Sequence, residues 1–348
     1  MQAFVPMYER WQQSGADSRV PRRLSRGGPS PAAHLNRRVI AQDPGRGRHP
    51  SVSGVLSHMP PCRRSLPASP TTITRLVRPL CCSSCSPGYT AGEEAKSYDI
   101  PDGGLIPRQY RQTMYRSMAA AHVQIASARL PKIGTVLRDA DGGFIVGPIP
   151  GIGGLFDTAS FSQAWAATLR FPGDDHELRE SLPPSLVDEI VRGLDEFPAR
   201  LAELAPSGRY FASAGLFPIP HADLFHTNVI VDKNFDLLGI IDWEGACTVP
   251  WELMDTPAFL GTVPRLLNPP EQYDKRGRPL DPHEAARWAE EENYATMVEE
   301  AERQAGADDR LSSVLIDKDA RDLACTMHLF VLGKLGFYER VLDCFERK

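Results

Sequence analysis

Three polar side chains in the second half of the chain have a spacing that suits magnesium-dependent chemistry. Asp223 and Asn228 lie close together in the sequence, and Asp242 follows a short apolar run. Mg²⁺ is a hard cation that binds through one or two protein groups together with the phosphates of a substrate. Asn228 and Asp242 could supply two oxygen ligands, which leaves Asp223 to orient a hydroxyl group and accept its proton. Phosphoryl transfer needs this division of roles, because it depends on positioning and on charge neutralisation.

A predicted β-hairpin would bring the two metal ligands together. Val229–Val231 and Leu237–Ile241 have the length and the β-branched content of strands, and Asp232–Asp236 between them is rich in turn residues. A hairpin returns its second strand to the start of its first. We therefore expect Asn228, before the first strand, and Asp242, after the second, to lie at the same open end.

The loop before this hairpin carries the remaining site residues. It runs from His221 to His226 and includes Asp223. His221 lies two residues before the aspartate and could hold the loop in place through hydrogen bonds. The sequence therefore predicts one site, with His221 and Asp223 as its catalytic part.

The loop and the end of the hairpin resemble two motifs of a known enzyme family. Residues 221–228, His-Ala-Asp-Leu-Phe-His-Thr-Asn, are similar to the His-x-Asp-x-x-x-x-Asn loop of the aminoglycoside phosphotransferase and choline kinase families. Residues 241–244, Ile-Asp-Trp-Glu, are similar to the metal-binding segment of these families. Where the family usually has Gly or Pro, this chain has Ala222. Four further segments, 132–135, 156–159, 249–252 and 257–260, resemble the fungal-type branch.

The resemblance implies a role for each site residue. Asp223 is the catalytic base and His221 anchors its loop, while Asn228 and Asp242 bind Mg²⁺. Ile241, directly before the metal-binding aspartate, belongs to the ATP site. ATP is then the phosphate donor, and the acceptor is a hydroxyl group of a small molecule.

Residues 1–105 differ in composition from the rest of the chain. They are rich in Arg, Pro and Ser, and residues 1–80 carry a net charge of +10, against −15 for residues 81–348. Such a composition does not bury enough apolar surface to offset the loss of conformational entropy, so we predict that this region is mostly disordered. It has few aromatic residues and no periodic arginine face, which argues against nucleic-acid binding.

This composition leaves a second functional hypothesis open. In the family that the chain resembles, a small lobe with a five-stranded sheet and a phosphate-gripping lysine precedes the catalytic lobe. Here the first lysine is Lys96, and no strand pattern surrounds it. The alternative is therefore an inactive kinase-like remnant that binds a ligand or a partner without transferring phosphate.

Residues 106–348 predict an α+β fold, mainly α, similar to the C-terminal lobe of a protein-kinase-like enzyme and containing two small β-hairpins. The second hairpin joins Ile133–Leu137 to Phe144–Val146. Apolar residues at helical spacing predict helices over about Pro107–Leu130 and over Ser160–Arg170. In a third helix, Ser185 with Asp188 forms the cap and Pro198 introduces a kink. A fourth helix begins at Asp281 and runs to about Gln304, and helices continue from Leu311 to the end, including a buried helix over Leu323–Phe337.

Further features of the sequence concern partners and location. Six glutamates in one predicted helix either bind a cationic substrate, as acidic C-terminal helices do in related antibiotic kinases, or form a solvated face: Glu290, Glu291, Glu292, Glu299, Glu300 and Glu302. The chain shows no apolar run of membrane-spanning length and no secretory signal, so we predict a cytoplasmic protein. The sequence does not indicate an oligomeric state.

Overall fold

The structure is a computed structural model, and it describes residues 88–96, 106–140, 143–171, 183–204, 210–243 and 245–347. This part of the chain is largely helical and contains small antiparallel sheets, which confirms the predicted α+β class. The other residues of the region predicted to be disordered, 1–87 and 97–105, lie outside the described residues, as does Glu244.

Eight helices and eight strands make up the described fold. The helices are α1 Ala91–Ala95, α2 Arg108–Ala126, α3 Thr158–Thr168, α4 Pro184–Leu204, α5 Pro282–Ala305, α6 Arg310–Ile316, α7 Lys318–Val331 and α8 Tyr338–Glu346. The strands are β1 Tyr89–Thr90, β2 Arg129–Leu130, β3 Gly134–Arg138, β4 Phe144–Gly147, β5 Phe217–Pro218, β6 Val229–Val231, β7 Leu237–Ile240 and β8 Cys247–Thr248. Three short 3₁₀ turns lie between β8 and α5, at Trp251–Leu253, Arg265–Leu267 and Pro270–Gln272.

Both predicted hairpins form. β6 pairs with β7 so that Val229 lies opposite Ile240, and β3 pairs with β4 so that Val136 lies opposite Val146. β1 extends the first hairpin into a sheet of order β1-β6-β7, and β8 extends the second into the order β4-β3-β8. Every pairing in these sheets is antiparallel.

The prediction of disorder is wrong for residues 88–96. Tyr89 and Thr90 pair with Val231 and Ile230 of the hairpin, and α1 follows directly. A strand of two residues carries no periodic pattern, and the surrounding Pro- and Ser-rich composition hides it. Residues 88–96 therefore pack in the same unit as the hairpin.

Two helix boundaries also differ from prediction. α2 ends at Ala126 rather than at Leu130, because residues 129–130 form a strand that pairs with β5. Pro131 favours this strand, since Leu130, the residue before the proline, is driven towards extended backbone. α4 begins at Pro184, so Ser185 lies inside the first turn instead of capping it.

The C-terminal helices divide differently from the prediction. α7 ends at Val331, and Gly333 beyond it has the left-handed φ of 74° that ends a helix readily. The predicted buried helix is therefore wrong beyond residue 331. α5 begins as predicted: Asp281 caps it by accepting a hydrogen bond from the amide of His283.

Two large apolar cores support the fold. The first packs α2 and α5 beneath the β6–β7 hairpin and includes Met118, Val229 and Tyr294. The second joins α4, α7 and α8 around Phe197 and Phe330. Within the described residues, no helix is both long and apolar enough to cross a membrane.

Candidate functional site

The structure brings Asp223 and Asn228 into direct contact. The side-chain amide nitrogen of Asn228 donates to the backbone oxygen and to a carboxylate oxygen of Asp223, both at 2.9 Å. Asn228 is buried, with 4% of its surface exposed, whereas Asp223 is half-buried. The buried amide therefore holds the carboxylate of a residue that is itself only half-buried.

His221 is hydrogen-bonded both to its own loop and to the end of β7. Its Nε2 lies 2.9 Å from the carbonyl oxygen of Ile241, and its Nδ1 accepts a hydrogen bond from the amide of Asp223 at 3.2 Å. Because a carbonyl can only accept, Nε2 carries the proton and the ring is neutral. Burial lowers the pKa of His221 below its usual value, which favours this neutral form.

The end of β7 lies beside the same loop. The amide of Ile241 donates to the carbonyl of Asn228 at 2.9 Å, which closes the open end of the hairpin. Trp243 packs its ring edge-on against the ring of His221, with centroids 4.7 Å apart. The loop and the strand end are therefore fixed to each other by backbone and side-chain contacts.

Asp242 lies between these two fixed residues and is exposed. Its φ of 67° is in the left-handed region, where residues other than glycine are uncommon. Backbone strain of this kind often marks functional sites, because surrounding contacts must maintain it. The predicted site residues 221, 223, 228, 241 and 242 thus converge at one end of the hairpin.

A cavity of about 180 Å³ adjoins the loop. His221, Ala222 and Leu224 form part of its wall on the loop side. The remaining wall is mostly apolar and comes from distant parts of the chain, including Ile149, Phe161, Trp165, Leu253, Met254, Leu329 and Leu332. A molecule in this cavity would touch the loop that carries Asp223.

Polar residues that sequence analysis missed also line the cavity, among them His122 and Asp255. His122 of α2 lies with its Nδ1 3.2 Å from the hydroxyl oxygen of Tyr294, and burial lowers its pKa to about 4. Asp255, which follows the 3₁₀ turn at Trp251–Leu253, is exposed and also lines the cavity. A single polar residue in the apolar stripe of α2 was the available sequence signal for His122; Asp255 had none.

The acidic residues of α5 do not form one cationic-substrate site. Glu290 pairs with Arg111, Glu291 is buried and pairs with Arg321 at 3.2 Å, and Glu302 accepts a hydrogen bond from the amide of Leu311 at 2.9 Å. These three carboxylates join α5 to α2, α7 and α6.

The other three glutamates of the run, Glu292, Glu299 and Glu300, are exposed and agree with a solvated face.

Within the described ranges, no group of three or more His, Cys, Asp and Glu side chains is placed to hold a metal ion. Comparison with known protein families, with curated proteins and with solved structures finds no match for this chain. The kinase-like lobe and the family resemblance therefore stay predictions.

Proposed function

We propose that this protein is a Mg²⁺-dependent phosphotransferase that moves the γ-phosphoryl group of ATP to a hydroxyl group of a small molecule. The observation that carries the proposal is the Asp223–Asn228 pair, locked by His221 to the strand end that bears Asp242. A fixed, partly accessible carboxylate beside two further oxygen donors suits a reaction that depends on positioning and charge neutralisation.

Asp223 acts as the base in this proposal. One of its carboxylate oxygens accepts the hydrogen bond from Asn228, and the other is left to accept the proton of the acceptor hydroxyl. The hydroxyl oxygen attacks the γ-phosphorus as its proton passes to Asp223. The bond from the γ-phosphorus to the oxygen that bridges to the β-phosphate breaks, and ADP leaves.

Asn228 and Asp242 fit a magnesium ion. The amide nitrogen of Asn228 is engaged with Asp223, so the amide oxygen would be the atom that holds the ion. Asp242 adds an exposed carboxylate. Mg²⁺ needs no more from the protein, because substrate phosphates and water complete its octahedron. When bound, the ion would neutralise charge on the phosphates of ATP.

Ile241 is the proposed contact on the ATP side. It is half-buried, directly precedes Asp242, and its amide is bonded to the carbonyl of Asn228. An apolar side chain held beside both metal ligands is suited to the nucleotide whose phosphates the ion would bind.

The cavity beside the loop is the proposed acceptor site. Its apolar wall favours an alcohol with an apolar body, and the exposed carboxylate of Asp255 on the same wall suits a positively charged group on that body. The hypothesis of a cationic substrate therefore moves from the glutamates of α5 to Asp255.

Phosphate transfer from labelled ATP to a panel of small alcohols tests this function. We expect Asp223→Asn to reduce kcat by about 100-fold or more, because the base is lost while the hydrogen bond from Asn228 remains possible. Asp232→Asn is the matched control: Asp232 caps the turn at the opposite end of the same hairpin. Equal activity of wild type and Asp223→Asn would refute the proposed base, and ATP binding without any transfer would favour the inactive remnant.

A further inference from the structure

The segment formed by β1 and α1 contacts the loop that carries Asp223. The amide of Gly92 donates a hydrogen bond to the carbonyl oxygen of His226 at 3.2 Å. β1 meanwhile pairs with β6, the strand that begins directly after Asn228. Residues 88–96 therefore touch both the second half of the loop and the strand that follows it.

Gly92 approaches His226 more closely than any other residue type could. A Cβ atom added at Gly92 would lie 2.6 Å from Cδ2 of the His226 ring, a distance that forces one of them to move. The ring is buried, with 8% of its surface exposed, and it packs against Phe225 with centroids 4.1 Å apart. The ring therefore has little room to yield, and space, rather than an unusual backbone conformation, requires glycine here.

α1 is itself held firmly against the fold. Thr90 caps it by accepting a hydrogen bond from the amide of Glu93, whose carboxylate in turn accepts one from the amide of Thr90. Ala91 and Ala95 are buried in the same core as Leu224. A short helix fixed in this way can transmit its position to the loop that it touches.

The loop is anchored at both of its halves. The first half is held by the His221–Ile241 contact and by the amide of Ala258, which donates to the carbonyl of Leu224 at 2.9 Å. The second half, between Phe225 and Asn228, is where α1 makes its contact. A shift of His226 would move Asn228 relative to Asp223 and disturb the two 2.9 Å hydrogen bonds between them.

We propose that Gly92 is a positioning residue: α1 acts as a clamp that fixes residues 225–228 and so sets the Asp223–Asn228 geometry. The catalytic consequence rests on the proposed phosphotransferase function, whereas the clamp itself is a property of the fold. Residues 88–96, which precede the lobe that the sequence resembles, are therefore part of the candidate functional site in this proposal.

Gly92→Ala tests the clamp, because helix propensity alone and the clamp predict opposite effects of this substitution on the stability of the segment. Within a helix, alanine is normally more favourable than glycine, so the substitution should stabilise α1 unless the new methyl group meets His226. We expect amide hydrogen exchange in residues 221–228 to become about tenfold faster, while exchange in α5 is unchanged. For transfer, kcat should fall by about tenfold to 100-fold, with a smaller change in the KM for the acceptor.

The same substitution in a His226→Ala background supplies the decisive comparison. With the ring removed, Gly92→Ala should no longer accelerate exchange in the loop and should instead protect α1. Lys96→Ala, which truncates an exposed side chain just beyond α1, is the control and should leave loop exchange at the wild-type rate.

Two results would overturn the inference: wild-type loop exchange in Gly92→Ala, or acceleration of the same size whether or not the His226 ring is present. If Gly92→Ala accelerates loop exchange only while the ring is present, and the wild-type protein transfers no phosphate, then the clamp stands and the proposed function fails. If the wild-type protein transfers phosphate and Gly92→Ala leaves both loop exchange and kcat unchanged, then the function stands and the clamp fails.

Discussion

His221 connects the Asp223 loop with the end of β7, because its two ring nitrogens have different partners. Nε2 donates to the carbonyl of Ile241, and Nδ1 accepts from the amide of Asp223. Only the neutral ring can do both, since a protonated imidazole has no acceptor. The orientation of the Asp223 loop therefore depends on the protonation state of a half-buried histidine.

The protonation of His221 predicts the acid limb of the pH profile. Burial lowers the pKa of His221 below 6.5, its ordinary value, so the neutral ring persists through neutral pH and is lost only as the pH falls further. We expect the His221 contribution to kcat/KM to be constant from pH 8 to 6.5 and to fall below that range. His221→Gln should lack this acid limb. A limb in the wild type with a midpoint above 6.5 that disappears in His221→Gln would contradict the neutral, buried ring.

Residues close in sequence could be predicted, and residues brought together by packing could not. Asp223, Asn228 and Asp242 lie on one hairpin and its flanking loop, so local patterns were enough to place them at one end. His122 and Asp255 reach the cavity from α2 and from the loop after β8. Their approach depends on how helices pack over long sequence separations, which no local spacing records.

At the scale of elements, the hairpins and the long amphipathic helices were predictable because their periodicity extends over several residues. β1 and β2 are strands of two residues, and their pairing with β6 and β5 is decided by the partner strand. α1 has only five residues and depends on the Thr90–Glu93 capping box and on buried alanines. Short elements of this kind are fixed by tertiary contacts rather than by their own propensity.

The acidic residues of α5 allow a prediction about how elements are joined. Glu291 is buried between α5 and α7, where it pairs with Arg321 and accepts a hydrogen bond from Thr262 at 2.7 Å. Glu291→Gln should lower the free energy of unfolding by about 3 kcal/mol, because it leaves the Arg321 charge poorly compensated in the interior. Glu292→Gln, at the exposed neighbouring position, should change it by less than about 0.5 kcal/mol.

Chemical denaturation of the two variants measures this difference. Equal stability of Glu291→Gln and wild type would show that the pair does not hold α5 to α7, and would return Glu291 to the set of candidate substrate contacts.

At the scale of the whole molecule, the cavity lies where the core beneath the hairpin meets the core of the C-terminal helices. His122 comes from α2 of the first core, whereas His328 and Leu329 come from α7 of the second. Burial lowers the pKa of both His122 and His328 to about 4. Folding therefore buries neutral histidines that the unfolded chain would protonate in mild acid.

His122 predicts how the stability of the whole protein depends on pH. Its pKa falls from 6.5 to about 4 on folding, so below pH 6.5 the unfolded state binds more protons and the free energy of unfolding decreases as the pH falls. Between pH 7.5 and pH 5, this residue alone should lower the free energy of unfolding by about 2 kcal/mol. His122→Gln should remove that part of the decrease. Acidic residues such as Asp255 contribute equally to the pH dependence of the wild type and of His122→Gln, so they cancel in the comparison.

Urea denaturation of wild type and His122→Gln at the two pH values checks this expectation. Parallel losses of stability in the two proteins would mean that His122 is not buried in its neutral form.

The measurement that tests the central claim most directly is calorimetric titration of ATP into the purified protein with and without Mg²⁺. The proposed site predicts ATP binding that requires Mg²⁺ and that Asp242→Asn weakens by about tenfold or more, since a metal ligand is changed while the loop contacts of Asp223 remain. No binding up to millimolar ATP, or binding that neither Mg²⁺ nor Asp242→Asn alters, would contradict the assignment of a magnesium-dependent phosphotransferase.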